Sequence, residues 1–69
     1  MSMEKLDKRF GVIAVEKGFI TSEQLIEAMK TQILEDLEDA KHRLIGQILF
    51  EKRYMTNMQI KEVLKTLGV

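Results

Sequence analysis

Apolar side chains recur along this chain at helical spacing and proline is absent, so the pattern predicts an all-α fold. Leu6, Phe10, Ile13 and Ala14 share one face of a first helix over about residues 4 to 17, and Gly18 follows where a C-cap is wanted. Phe19 and Ile20 form an apolar corner before Thr21, whose spacing to Gln24 matches a capping box. A second helix starts at Ser22. Its stripe of Leu25, Ala28, Met29, Ile33 and Leu37 advances mostly in steps of three and four and carries it to about Ala40 or Lys41. Leu44, Ile45, Ile48 and Leu49 predict a short third helix, Tyr54 and Met55 a second corner, and Thr56 with Gln59 a second capping box. Ile60, Val63, Leu64 and Leu67 then face inward on a fourth helix that Gly68 ends.

The pattern is written twice. At an offset of 35, nine of the 22 positions in residues 11–32 recur identically in residues 46–67, among them Gly11/Gly46, Thr21/Thr56 and Gln24/Gln59. The chain therefore reads as two tandem helix–corner–helix repeats, about 4–41 and about 42–69, in a single four-helix domain spanning 1–69. The function is expected where the copies meet or differ. The second helix outruns the fourth by roughly 12 Å at a 1.5 Å rise per residue, and Leu34, Leu37 and Ala40 on that overhang predict a protein interface.

Composition sharpens this picture. Sixty-nine residues lie near the lower limit for a self-sufficient core, and without cysteine no disulfide or thiolate metal site reinforces it. Self-association is the available remedy, so a homodimer is expected. No apolar run spans a bilayer and no signal-peptide core opens the chain, which predicts a cytoplasmic protein without membrane contact. The zero net charge conceals an asymmetry: residues 1–40 sum to −4 and residues 41–69 to +4. The halves are expected to attract each other, within or between subunits. The alternative is that Arg43, Lys52, Arg53, Lys61 and Lys65 face a phosphate-bearing partner, although zero net charge disfavours a nucleic-acid duplex.

The candidate chemistry is sparse. His42 is the only histidine and sits in a charged run; with Asp39 it has the i, i+3 spacing of di-iron bundles, but one histidine cannot build that site. Phosphate-binding glycine loops are missing from the sequence, and the acids at 35–39 read as a solvated face. No catalytic residue, metal ligand or cofactor is expected. Gly11 and Gly46 interrupt helical patterns at about 1 kcal/mol each relative to alanine, which implies close approach of another backbone or of a flat ligand. Close helix packing is the expectation. Arg9, just before Gly11, suits a phosphate or a guanine edge, or else a surface pair with Glu4, Asp7 or Glu16.

Residues 9–32, RFGVIAVEKGFITSEQLIEAMKTQ, resemble the 24-residue motif RLGxxLxxxGxIxxxxLxxALxxQ of the MshEN domain of bacterial type II secretion and type IV pilus ATPases. Arg9, Gly11, Gly18, Ile20, Leu25, Ala28 and Gln32 match it, with apolar replacements at Phe10, Ala14 and Met29. The resemblance implies a helical domain of two tandem motifs that binds cyclic di-GMP, the first motif offering Arg9, Phe10, Gly11, Ala14, Leu25, Ala28 and Met29. The second motif departs from the pattern: Leu44 replaces arginine, so its candidate ligand arginine is Arg43, one residue too early, while Arg53 replaces glycine and Leu67 replaces glutamine.

These readings predict a non-enzymatic regulatory or adaptor module that binds another protein, linked to secretion, pilus or motility machinery. A cyclic di-GMP receptor built on the first motif is the alternative. A third reading, DNA binding, rests on the basic corner at Lys52 and on Gln59, Lys61 and Lys65 of the following helix.

Overall fold

The computed structural model describes residues 5–38 and 43–68, which form four helices and no strand: α1 Lys5–Glu16, α2 Ser22–Leu37, α3 Ile45–Glu51 and α4 Asn57–Leu67. No helix among the described residues is long and apolar enough to cross a membrane.

Local chemistry writes the repeat into the backbone. Thr21 Oγ1 accepts from Gln24 N at 3.1 Å while Gln24 Oε1 accepts from Thr21 N at 2.9 Å, and Thr56 and Gln59 reproduce both bonds at 3.1 and 3.0 Å. Each box supplies two amides that a helix start otherwise leaves unsatisfied. The corners match as closely. Gly18 N and Phe19 N donate back to Val15 O and Ala14 O, and 35 positions on, Arg53 N and Tyr54 N donate to Phe50 O and Leu49 O. This is the Schellman termination, which needs a left-handed residue after the last turn. Gly18 supplies it with φ of 78°; Arg53 holds the same place with φ of 65° despite its Cβ. Thus arginine in place of glycine at the second corner keeps the same geometry.

Packing interleaves the two units. α1 lies against α2, α3 and α4, and α2 also packs on α3, whereas α3 and α4 approach each other less closely. Each short helix thus leans on the long helix of the other repeat, so neither repeat builds a core alone. Phe10, Ala14, Ile20, Leu25 and Ala28 of the first copy share one apolar cluster with Ile45, Ile48, Leu49, Met55 and Val63 of the second. At about 1.5–3 kcal/mol for burying each larger side chain, this joint cluster is the main stabilising term.

Three expectations need correction. α2 ends at Leu37 with Glu38 as its cap, so it exceeds α4 by five residues (16 against 11), about 7.5 Å rather than 12 Å. Arg43 lies back beside α2, its O accepting from Gln32 and its side chain reaching Glu35, contacts consistent with α2 ending at Leu37. Ile33 of the predicted stripe is exposed, since the buried arc of α2 is Leu25, Ala28 and Gln32. Leu44 stands before α3 as its N-cap and is exposed, with Gln47 Oε1 accepting from its backbone amide at 2.9 Å. Asp39, Ala40 and His42 lie outside the described residues.

Candidate functional site

Each repeat leaves a groove between its short and its long helix, and the two grooves are copies. The first is lined by Val12, Val15, Glu16, Ser22, Leu25, Ile26 and Met29. Six of these seven positions return 35 residues later in the second, as Gln47, Phe50, Glu51, Asn57, Ile60 and Leu64. The exception is Ile26, whose counterpart is Lys61. The second groove is the larger, about 430 Å³ against about 300 Å³.

The glycines beside the two grooves face different side chains. A Cβ on Gly11 would lie 2.6 Å from Leu25 Cδ1, so α1 is close enough to α2 for Leu25 to fill the first groove. A Cβ on Gly46 would lie 3.2 Å from Phe10 Cζ. There the glycine admits a phenyl ring from the other repeat, and Phe10 becomes the floor of a gap that α3 and α4 leave open. Both glycines therefore serve close packing. The walls of the second groove include Leu44 and Phe50, which are 55% and 45% exposed although large and apolar.

One end of the second groove is polar and fixed. Asp7 and Gln32 are each only 5% exposed. Gln32 Nε2 donates to Asp7 Oδ2 at 2.7 Å and to Arg43 O at 3.0 Å, tying α1, α2 and the approach to α3 together; Gln32 Oε1 is buried with no partner among the described residues. The Arg43 guanidinium grips Glu35 with two bonds, Nε to Oε1 at 3.2 Å and Nη2 to Oε2 at 2.7 Å. Its Nη1 lies 2.6 Å from Glu51 Oε1 as an ion pair rather than a well-directed hydrogen bond. Glu35 and then Glu51 hold the arginine's pKa above its usual range. With its fork engaged by two carboxylates, Arg43 is a clasp between the repeats.

The opposed charges of the two halves meet within the chain. Glu35 pairs with Arg43 and Glu27 with Lys52 at 3.2 Å, while Lys17–Glu62 at 3.8 Å runs in the opposite sense, a base of the first half to an acid of the second. Tyr54 Oη also donates to Glu27 Oε1 at 2.8 Å; this bond, and then Lys52, lowers the Glu27 pKa, while Glu27 raises that of Tyr54.

Of the residues assigned to a nucleotide by resemblance, Phe10, Gly11, Ala14, Leu25 and Ala28 are buried and Met29 is half-buried beside the first groove. Arg9 is exposed on α1 with no hydrogen bond or ion pair to the described residues, and it lines neither groove. Asp7 pairs with Gln32, not with Arg9. Leu34 and Leu37 of the expected interface are 58% and 68% exposed. Gln59, a candidate for groove contacts in DNA, is committed to its capping box, while Lys61 and Lys65 are exposed. No group of three or more acidic, histidine or cysteine side chains among the described residues is placed to hold a metal ion.

The groove itself was not anticipated, nor was the Asp7–Gln32–Arg43 link. The sequence carried one signal for the latter: Gln32 follows Leu25 and Ala28 by steps of three and four, which puts a polar group on the buried arc where it must find a partner. Comparison of the chain with protein-family models, curated proteins and solved structures finds no match.

Proposed function

We propose that the chain is a non-enzymatic adaptor or regulatory module that binds protein through the second groove. The supporting observation is an apolar cleft of about 430 Å³ whose walls keep Leu44 and Phe50 half in water, with a fixed polar end at Arg43 and Glu51. Clefts of this kind suit an apolar side chain or helix face, and contiguous exposed apolar surface commonly marks interaction sites. The motif-like first repeat supports a role beside secretion, pilus or motility ATPases in the cytoplasm, and self-association through the same surface belongs to this reading. The test is retention of protein from native extract by the immobilised chain. Phe50→Glu should abolish retention without changing the helical circular dichroism; equal retention by both chains would contradict the reading.

A cyclic di-GMP receptor is the second reading, favoured by Arg9, an exposed arginine with no partner among the described residues. Calorimetric titration tests it. Binding abolished by Arg9→Ala supports it, and absence of heat at high protein concentration counts against it.

A further inference from the structure

We infer that the partner segment in the second groove is basic as well as apolar, which rests on the protein-binding reading above. It presents a lysine or arginine flanked by large apolar side chains, and Asp7 receives the cation. The first ground is a missing donor. Asp7 lines the groove and is only 5% exposed. Its partner among the described residues is the neutral amide of Gln32, which reaches Oδ2 alone. That amide nitrogen already serves two acceptors, and Gln32 Oε1 beside it is a further buried acceptor that no donor among the described residues meets. The first turn of α1 offsets part of the cost of burying the Asp7 charge. Buried carboxylates are nevertheless ordinarily paired with a cation, and Asp7 has none among the described residues.

The second ground is that the groove has no cation of its own to give. Arg43 is the one base among the described residues that line it. Glu35 holds its Nε and Nη2, while Nη1 lies against Glu51. The third ground is spacing. Asp7 stands three residues before Phe10 on α1, so the carboxylate and the phenyl floor are neighbours on one helix face, about 5–6 Å apart at Cβ. An apolar body between Phe10 and Phe50 therefore brings its head group to Asp7 when a short aliphatic stem joins the two. A lysine or arginine beside an apolar residue has that build. An acidic or purely apolar segment would cover the Asp7 charge and leave it unpaired, so the groove selects against both.

The experiment is a nuclear magnetic resonance titration of the full chain with phenylbutylamine, charged at neutral pH, and with phenylbutanol, which has the same apolar body and no charge. The amine should bind at least about tenfold more tightly and should move the Gln32 side-chain amide signals, which the alcohol leaves in place. Asp7→Asn, which keeps an oxygen for Gln32, should bring the amine to the affinity of the alcohol. The same variant should lower retention of protein from native extract by at least about tenfold, which separates a partner's cation from a free amine. Equal affinities of the two probes for the wild type, binding of neither at millimolar concentration, or an amine preference that survives Asp7→Asn would overturn the inference. The wild-type comparison decides even where Asp7→Asn fails to fold. An amine preference with retention untouched by Asp7→Asn overturns the protein source in favour of a small cationic ligand. Where the inference falls, retention that Phe50→Glu abolishes leaves the adaptor reading standing, and its absence removes both.

Discussion

Replacing Gln32 with leucine removes the link on which three segments converge. The substitution keeps the approximate volume but deletes both donors, at 2.7 Å to Asp7 and 3.0 Å to Arg43 O. A hydrogen bond to a charged group contributes about 1.5–3 kcal/mol, and a buried acceptor left alone costs about 1–3 kcal/mol. Leucine offsets part of this by burying more apolar surface and by removing the unpartnered Oε1. Gln32→Leu should therefore destabilise the chain by about 2–3 kcal/mol, against a total of only a few kcal/mol expected for a domain this small. Urea unfolding at neutral pH measures it: at about 1 kcal/mol per molar urea, the midpoint should fall by about 2–3 M. Asp7→Ala removes the stranded acceptor, so Asp7→Ala with Gln32→Leu should cost clearly less than the sum of the two single changes, a coupling of about 1–2 kcal/mol. A Gln32→Leu chain within about 0.5 kcal/mol of wild type would refute the reasoning, because it would mean that Asp7 finds water instead of the amide.

Three further outcomes follow from the same geometry. Arg53→Gly should stabilise the chain by about 1 kcal/mol in urea, because glycine carries no Cβ penalty at φ of 65°, and Gly18→Ala at φ of 78° should destabilise it by a similar amount. Arg43→Lys should cost about 1 kcal/mol by losing the two-pronged grip on Glu35, and Arg43→Met about 2 kcal/mol by leaving that partly buried carboxylate without its cation. Glu27 has its pKa lowered from 4.5, so its contribution to stability is present above that pH and is lost as pH falls through the depressed value. In urea midpoints measured against pH, Tyr54→Phe should reduce this acid-limb dependence, since the Tyr54 bond is the largest cause of the shift.

The parts of the fold that sequence specified were local. Thr21–Gln24 and Thr56–Gln59 fix helix starts by contacts three residues apart, and the corners at Ile20 and Met55 follow from the last turn of the preceding helix. Features made by distant residues escaped. Gln32 finds Asp7 across 25 residues, and Glu27 finds Tyr54 across 27. Periodicity ran Ile33 into the buried face because a stripe of five apolar residues looked continuous, yet the buried arc and the exposed stripe of α2 are separate faces about 130° apart. Arg43 looked like a displaced ligand arginine. Its direction was set instead by Glu35 on the neighbouring helix, which no spacing along the chain encodes. The second groove has Phe10 beneath Gly46, a contact between residues 36 apart that no spacing along the chain encodes.

The most direct test of the protein-binding groove is photo-crosslinking in the native cell from a benzophenone side chain placed at position 50, with the exposed position 66 on α4 as control. The account predicts a light-dependent adduct to a polypeptide, this chain or another, from position 50 alone, and its loss when Leu44→Glu is added. Equal yields from the two positions, or no polypeptide adduct from position 50, would contradict it.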